Sequence, residues 1–293
     1  MPWSSNLVTF RTGHYIFIGT MRYRLFAFDL DGTLLNDKKK LSPANERALG
    51  EMAARDAVIV FATGRLGSSM QHYIPPALDD VALLTLNGAE VCMGKRHASR
   101  KVQNISLPST IADYLVDYTR GREFVCNYYI NGRLYAVRDG TTAPWIEFYV
   151  KQTGSRYRFV PSLDRFRGRR PSKMIFVGAP PVIDEQERYF RKLWGDSVYI
   201  CRTWDYYLEF LDVRANKGTG LAALARAYNV GWPEIVAFGD APNDIPMLEK
   251  AGLSIAMANA PEEVKRVAVR VSPWTNNEDG VAKEWDLIKK NNH

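Results

Sequence analysis

The sequence predicts a doubly wound, mostly parallel α/β fold with an α+β domain inserted into it. Two observations lead to this prediction. Apolar runs alternate with helical segments at both ends of the chain, whereas its middle part has mixed and more aromatic strands. A chain of 293 residues has room for one large domain or two modest ones. We therefore expect a core built from both ends of the chain and a second unit between them.

Apolar runs near the N-terminal end predict strands that are buried on both faces. They cover residues 25–28, 58–62 and 82–86. Ser42-Pro43 predicts the start of the first intervening helix, because a hydroxyl side chain caps a helix and proline suits its first turn. We expect a second helical stretch before the third strand. This order of strand, helix, strand, helix and strand is typical of a doubly wound sheet.

The character of the sequence changes after Asn87. The pair Asn131-Gly132 favours a tight turn and predicts a hairpin between residues 124–130 and 134–137. A strand, a helix and a second hairpin are predicted after it, at residues 173–177, 185–193, 198–200 and 207–210. This mixture indicates an α+β unit that is separate from the first sheet.

Alternation of the first kind returns after Val213. It predicts a helix and three strands, at residues 218–228, 235–238, 254–257 and 267–271. We divide the chain into a core of residues 21–87 and 213–293 and an insert of residues 88–212. Residues 1–20 form a predicted extension outside the fold, because Arg11 and His14 interrupt their apolar stretch and Met21 stands just before the first strand.

The composition narrows the class of ligand only slightly. The net charge of +7 favours anionic ligands, which include phosphorylated metabolites, nucleic acid and acidic membranes. A basic stretch over residues 156–173 has three interpretations: a solvated surface, a substrate-facing surface or a nucleic-acid contact. Nucleic acid is the weaker interpretation, because no base-stacking motif or zinc spacing accompanies it. We expect no nucleic-acid or membrane partner, and nothing in the sequence implies a protein partner.

Cysteine usage and hydropathy favour a cytoplasmic protein. Cys92, Cys126 and Cys201 lie far apart and form no Cys-x-x-Cys pair, so we expect neither a disulfide framework nor a zinc site. No apolar run approaches the roughly 20 residues that a membrane span requires.

Polar residues follow three of the predicted buried strands, at residues 29–33, 63–65 and 239–244. The carboxyl ends of strands in an open α/β sheet border the ligand crevice, so we expect these residues to share one site. Taken singly, each motif has a plain alternative as a surface loop or a turn with helix-capping residues. Their joint occurrence at strand ends favours a catalytic site.

The carboxylates of this predicted site suggest a bound cation. Asp29 and Asp31 are two residues apart at a strand end, so both can face the crevice. With Asp240 and Asp244 they would bring four carboxylates together, and their mutual repulsion would raise their pKa values unless a cation were bound. All-oxygen ligands of this kind suit Mg²⁺. Lys217 offers a positive charge for a phosphate group, and the hydroxyl of Thr63 offers a hydrogen bond to the same group.

These motifs resemble those of haloacid dehalogenase (HAD) superfamily phosphatases, and specifically of the Cof-type, IIB-capped sugar phosphatases. The resemblance extends from Met21 to the C-terminus. Residues 29–35, 63–65, 217–218 and 239–247 resemble the first to fourth motifs of that family. Asn87-Gly88-Ala89 resembles the segment where its core gives way to its cap. The position of the insert, between the second and third motifs, implies a Rossmann-like core with a C2-type cap.

The resemblance also implies a role for each residue of the site. Asp29 would be the nucleophile that forms an aspartyl-phosphate, and Asp31 would be the general acid and base. Mg²⁺ would be held by the Asp29 carboxylate, the Asp31 backbone carbonyl and Asp240. Asp244 would orient Lys217 or a metal-bound water. The residues predicted to bind the substrate phosphate are Thr63, Gly64, Arg65, Lys217 and Asn243.

The resemblance implies hydrolysis of a small phosphorylated metabolite, expected to be a sugar phosphate. Two alternatives stay open: a mutase-type transfer of the phosphoryl group between sugar hydroxyls, and a non-catalytic sensor of phosphorylated metabolites. Candidate residues for contacting the leaving group are Tyr128, Tyr129, the aromatic residues at 204–207 and the basic stretch at 156–173.

Overall fold

A computed structural model describes residues 23–78 and 80–290 of the chain. The predicted extension, residues 1–20, lies outside the described residues. The strands are β1 (Leu25–Asp29), β2 (Val58–Ala62), β3 (Val81–Thr85), β4 (Glu90–Cys92), β5 (Lys101–Asn104), β6 (Val125–Ile130), β7 (Arg133–Ala136), β8 (Tyr157–Phe159), β9 (Lys173–Val177), β10 (Val198–Trp204), β11 (Tyr207–Asp212), β12 (Ile235–Gly239), β13 (Leu253–Ala256) and β14 (Arg270–Val271). The α-helices are α1 (Pro43–Ala53), α2 (Ser109–Tyr118), α3 (Ala143–Thr153), α4 (Pro180–Trp194), α5 (Lys217–Tyr228), α6 (Ile245–Leu248), α7 (Glu262–Val267) and α8 (Gly280–Lys290).

The first sheet has the strand order β14-β13-β12-β1-β2-β3-β4-β5. The strands from β14 to β3 are parallel, and β4 and β5 add an antiparallel edge. All residues of β1 and β12, two neighbouring strands inside the sheet, are buried. Their continuous apolar sequence suits this position, because a strand covered by helices on both faces has no polar side.

Helices cover both faces of the first sheet. On one face, Phe26 and Phe28 of β1 pack in a cluster with Leu49 of α1 and Trp285 of α8. The opposite face packs against α5 and α6. This is the doubly wound α/β arrangement that the sequence predicted, and the predicted fold class is confirmed.

Two predicted elements differ from the structure. The helical stretch expected before β3 consists only of the short 3₁₀ turns Gly67–Ser69 and Gln71–Tyr73. Proline has no N–H to donate and disfavours helical backbone before it, so Pro75 and Pro76 oppose an α-helix at the end of this stretch. The last strand, predicted at residues 267–271, is reduced to β14 because α7 continues to Val267.

The second sheet has the strand order β10-β11-β9-β6-β7-β8. Its neighbouring strands are antiparallel except for β7 and β8. The predicted turn between β6 and β7 is present, with both Asn131 and Gly132 at positive φ. Helices α2 and α4 pack on one face and α3 packs on the other.

The division between the two sheets differs from the predicted division of the chain. Strands β4 and β5 pair with the first sheet, although the sequence prediction placed residues 88–104 in the insert. Their short, antiparallel pattern resembles that of the second sheet, and only the pairing with β3 distinguishes them. The change of sheet therefore falls between Asn104 and Val125, and the return falls after Asp212.

Candidate active site

The predicted catalytic motifs meet at one edge of the first sheet. Strands β1 and β12 are parallel neighbours with Phe28 opposite Phe238, so Asp29 and Asp240 emerge side by side. Strand β2 flanks β1 on its other side and leads to Thr63. Parallel pairing of these three strands therefore brings together residues that lie more than 200 positions apart in the sequence.

Three carboxylates converge at this edge. One oxygen from each of Asp29, Asp240 and Asp244 lies within 4.8 Å of the other two. Oδ2 of Asp29 is buried and has no hydrogen-bond partner among the described residues. Burial raises the pKa of Asp29 well above its usual value, against the opposing charge of Lys217. Burial and the charge of Asp244 raise the pKa of Asp240 to about 7.

This donor set fits a divalent cation. Buried carboxylates that repel one another are stabilised by a positive ion between them, and Asp29, Asp240 and Asp244 each offer one oxygen close enough to share such an ion. The described part of the chain thus contains an acidic group suited to an oxygen-ligated metal ion.

Lys217 is the fixed cation of the site. It is the first residue of α5, a helix capped by Asn216, and its side chain is fully buried. Nζ lies 2.5 Å from Oδ1 of Asp29 and 2.5 Å from Oδ1 of Asp244. Burial opposes the charged form, but the two carboxylates outweigh it and raise the pKa of Lys217 above its usual value. The ammonium group therefore stays charged and bridges the two aspartates.

Asp244 uses both carboxylate oxygens within the protein. Besides the contact of Oδ1 with Lys217, Oδ2 accepts hydrogen bonds from the backbone N–H groups of Asp240, at 2.9 Å, and Ala241, at 3.0 Å. The side chain thereby ties the loop after β12 to α5. The role of Asp244 as a metal ligand remains a prediction from the sequence.

The loop after β1 is shaped to fit Asp240. Gly32 has a φ of 86°, and a Cβ atom there would lie only 2.2 Å from Oδ2 of Asp240. Only glycine accepts both the backbone angle and this close approach. The hydroxyl of Thr33 donates to Oδ1 of Asp240 at 2.7 Å, and Asn259 donates to the carbonyl of Gly32 at 2.8 Å.

Asp31 lines the same cavity as Asp29, but its carboxylate is held by two basic residues. Arg65 donates two hydrogen bonds to it, at 2.7 and 2.6 Å. Lys39 lies 2.9 Å from Oδ1. Burial would raise the pKa of Asp31, but the contacts with Arg65 and Lys39 hold it below its usual value. The Asp31 side chain is thus absent from the group of three converging carboxylates, which leaves its backbone carbonyl as the predicted ligand.

The remaining predicted substrate-binding residues surround the same space. Thr63 is buried, and its hydroxyl oxygen accepts from the backbone N–H of Arg65 at 3.1 Å. Arg65 also donates to the hydroxyl of Tyr73 at 2.5 Å. Asn243 donates to Oδ1 of Asn87 at 3.0 Å. These contacts orient side chains that the sequence prediction treated as separate substrate contacts.

A buried network from the second sheet reaches this site; the sequence prediction included its Lys173 only as part of the basic stretch at 156–173 and did not include Glu209. Lys173 of β9 donates to the carbonyl of Gly64 at 2.9 Å and to Oε2 of Glu209 at 2.9 Å. The same Glu209 oxygen accepts from Asn87 at 3.2 Å. Lys173 begins the otherwise apolar β9 and Glu209 lies within β11, and a charged residue at such a position is almost never buried without a partner. That pattern was the available signal.

One cavity of about 930 Å³ joins the catalytic edge to the second sheet. Its walls contain Asp29, Asp31, Thr63, Arg65, Asp240 and Asn243 from the first sheet and its loops. Of the candidate leaving-group contacts, it includes Tyr129, Trp204, Tyr207, Arg156, Arg158 and Lys173. Tyr128 lies instead in the core on the other face of the second sheet, where it stacks on Phe166.

Comparison with known proteins gives the family. The model of the haloacid dehalogenase-like hydrolases matches residues 26–284. A putative phosphatase from Bacillus subtilis is 29% identical over 268 residues, which cover 89% of this chain and 96% of that protein. An HMP-PP phosphatase from Serratia proteamaculans is 29% identical over 258 residues, covering 83% and 86% respectively. A crystal structure of a Thermotoga maritima protein superposes with a TM-score of 0.79 at 30% identity, covering 90% of this chain and 97% of that one.

The chain therefore belongs to the haloacid dehalogenase-like hydrolases. The family resemblance predicted from the motifs is confirmed, and so is the prediction that the chain is an enzyme of this family.

Cys92, Cys126 and Cys201 are free thiols. Within the described ranges, no helix has the length and apolar character required to cross a membrane.

Proposed function

We propose that this chain is a Mg²⁺-dependent phosphomonoester hydrolase that forms an aspartyl-phosphate on Asp29. The main support is the state of the Asp29 carboxylate. Lys217 holds one oxygen at 2.5 Å, while the other is buried without a hydrogen-bond partner among the described residues. A carboxylate with one oxygen fixed by a cation and the other free of hydrogen bonds is suited to nucleophilic attack in a defined direction.

In the first step, Oδ2 of Asp29 attacks phosphorus and forms a new P–O bond. The bond between phosphorus and the leaving oxygen breaks, and that oxygen takes a proton from Asp31. Lys217 and the hydroxyl of Thr63 stabilise the negative charge on the transferring group. In the second step, Asp31 takes a proton from water, the water oxygen attacks phosphorus, and the Asp29 carboxylate leaves with release of inorganic phosphate.

Arg65 and Lys39 link substrate binding to the first step. Asp31 must carry a proton to act as an acid, whereas its contacts with Arg65 and Lys39 favour the ionised form. An arriving anionic substrate competes for the same two basic groups. We propose that this competition loosens their hold on Asp31 and allows it to be protonated.

Mg²⁺ is the cation that fits the donor set, because every candidate ligand is an oxygen. Asp29, Asp240 and the backbone carbonyl of Asp31 would hold it, with Asp244 contributing directly or through water. When bound, Mg²⁺ supplies charge neutralisation for the phosphoryl group.

Release of inorganic phosphate from p-nitrophenyl phosphate tests the proposal. We expect turnover with Mg²⁺, none after chelation with EDTA, and none for Asp29→Asn at an unchanged melting temperature. Wild-type turnover that survives chelation contradicts the metal requirement, and turnover by Asp29→Asn contradicts the nucleophile.

The two alternatives make different predictions. A mutase-type phosphotransferase needs a bisphosphate activator, so phosphate release without one supports the hydrolase. A sensor binds phosphorylated metabolites without turnover, so any Asp29-dependent hydrolysis excludes it.

The substrate is proposed to be a small phosphorylated metabolite, with a sugar phosphate as the first candidate and the HMP-PP of the Serratia relative as the second. A cavity of about 930 Å³ is within the range of about 300–1,000 Å³ for small-molecule sites. We also propose a cytoplasmic location, supported by the three free thiols.

A further inference from the structure

Three arginines line the cavity on the side of the second sheet. Arg133 begins β7, Arg156 directly precedes β8, and Arg158 lies within β8. Strands β7 and β8 are parallel with Leu134 opposite Tyr157, which places Arg133 beside Arg156. All three side chains are exposed, and none has an ion-pair partner in residues 23–78 and 80–290. We call them the arginine cluster.

The rest of the cavity balances its basic groups with carboxylates. Lys173 contacts Glu209. Lys39 and Arg65 both contact Asp31. The arginine cluster is therefore a local concentration of unpaired positive charge, whereas the other lysine and arginine side chains that line the cavity are paired.

Two other arginines of the insert have carboxylate partners. Arg138, just after β7, contacts Glu147 at 3.0 Å, and Arg167 contacts Asp164 at 3.0 Å. Neither of these two arginines lines the cavity. The three arginines of the cluster therefore stand together on one cavity wall without a carboxylate partner in the described residues, and an anionic ligand would supply the missing charge.

The cluster stands away from the catalytic edge. Lys173 of β9 contacts Gly64 of the catalytic loop, and β8 lies three strands from β9 in the order β9-β6-β7-β8. Neighbouring strands are about 4.8 Å apart, so the two strands are separated by about 14 Å. Arginine side chains extend over part of this distance. The part of the distance that the arginine side chains do not cover suits a ligand of hexose size with an anionic group at each end.

We propose that the natural substrate carries a second anionic group, a phosphate or a carboxylate, which the arginine cluster binds. The phosphate to be cleaved lies at Asp29, and the second anion belongs to the alcohol part that leaves. This inference rests on the proposed phosphatase function and narrows its substrate class to phosphate monoesters with two anionic ends.

Matched substrate pairs test the inference. Values of kcat/KM are compared for fructose 1,6-bisphosphate against fructose 6-phosphate and for 6-phosphogluconate against glucose 6-phosphate. We expect the doubly anionic member of at least one pair to be favoured about ten- to hundredfold, the effect of one charge-assisted hydrogen bond. The first pair reports a second phosphate and the second pair reports a carboxylate, so the pair that shows the preference identifies the anion.

Variants then assign the preference to the cluster. In R133Q/R156Q/R158Q, we expect the ratio within the preferred pair to fall towards one. The matched control R138Q removes an exposed arginine outside the cavity and should retain the wild-type ratio. A wild-type enzyme with no preference in either pair, a ratio that survives the triple substitution, or an equal fall in R138Q would overturn the inference. Absence of p-nitrophenyl phosphate hydrolysis would instead reject the phosphatase function itself.

Discussion

Nζ of Lys217 lies 2.5 Å from Oδ1 of Asp29, and both side chains are buried where the first sheet meets the cavity. The lysine side chain has no exposed surface. Asp29 therefore has one oxygen fixed by an internal cation and the other free of hydrogen bonds in the described residues. The second aspartate of the motif, Asp31, is instead held by Arg65 and Lys39 at the cavity wall. Two residues of the same loop thus have distinct electrostatic surroundings, as their two proposed roles require.

Lys217→Met should abolish most of the activity and destabilise the fold. It leaves the carboxylates of Asp29 and Asp244 buried without their cation, and loss of one partner of a buried pair costs about 3–5 kcal/mol. We expect kcat to fall about 10²- to 10³-fold, as for other charge-stabilising groups. Urea denaturation and p-nitrophenyl phosphate hydrolysis measure the two effects. The double variant Asp244→Asn/Lys217→Met should be more stable than Lys217→Met, because it buries one carboxylate fewer; equal or lower stability contradicts the pairing.

Lys173→Met should destabilise the protein by about 3–5 kcal/mol, because it removes the ammonium group of a buried ion pair with Glu209. It should also lower kcat, since the carbonyl of Gly64 loses the donor that fixes the loop of Thr63. In a double-mutant cycle with Glu209→Gln, we expect a coupling energy well above that of a surface pair. Lys151→Met, at an exposed position on α3, is the matched control. Additive effects of Lys173→Met and Glu209→Gln would show that the network does not act as a unit.

Arg65→Met should lower kcat/KM about ten- to hundredfold, corresponding to the roughly 1.5–3 kcal/mol of a hydrogen bond to a charged group. Arg65→Lys should restore little of it, because a lysine cannot reproduce the two parallel hydrogen bonds to Asp31. Steady-state kinetics with p-nitrophenyl phosphate provide the measurement. Arg47→Met, an exposed substitution on α1, should have no effect. Full activity of Arg65→Lys would contradict a role for the paired geometry.

Glu51→Gln should lower the melting temperature at pH 7 but not at acidic pH. Hydrogen bonds from Trp285, at 2.9 Å, and Lys289, at 3.0 Å, lower the pKa of Glu51 from its usual 4.5. A lowered pKa in the folded protein means that Glu51 contributes stability above pH 4.5 and loses it as the pH falls through the folded value. Thermal denaturation from pH 3 to pH 7 should show the difference between wild type and variant grow with pH. Glu46→Gln, an exposed neighbour on the same helix, should show no such trend.

Local patterns predicted much of the fold. The apolar runs at residues 25–28, 58–62 and 235–238 became central strands, because a buried parallel strand needs apolar residues on both faces. Ser42 caps α1 as expected, with its hydroxyl accepting from the backbone N–H of Asn45 at 3.2 Å. These features depend on residues close in sequence.

Features that depend on long-range pairing were not predictable in the same way. Strands β4 and β5 have the short strand pattern that is typical of the insert. Only the pairing of β4 with β3, and of β5 with β4, places them in the first sheet. The motif residues Asp29, Lys217 and Asp240 could be inferred because each follows or precedes a recognisable element. The contact between Lys173 and Gly64 joins residues 109 positions apart across two sheets, and no local pattern specifies it.

The central claim is that Asp29 carries the phosphoryl group during turnover, and Asp31→Asn with p-nitrophenyl phosphate tests it most directly. p-Nitrophenolate leaves readily without a proton, so the first step should proceed, whereas hydrolysis of the intermediate lacks its base. We predict a burst of one p-nitrophenolate per active site and, after acid quenching, a phosphoryl group on the peptide that contains Asp29. Turnover without a burst and without a phosphorylated peptide, or a phosphoryl group on another residue, would contradict the account.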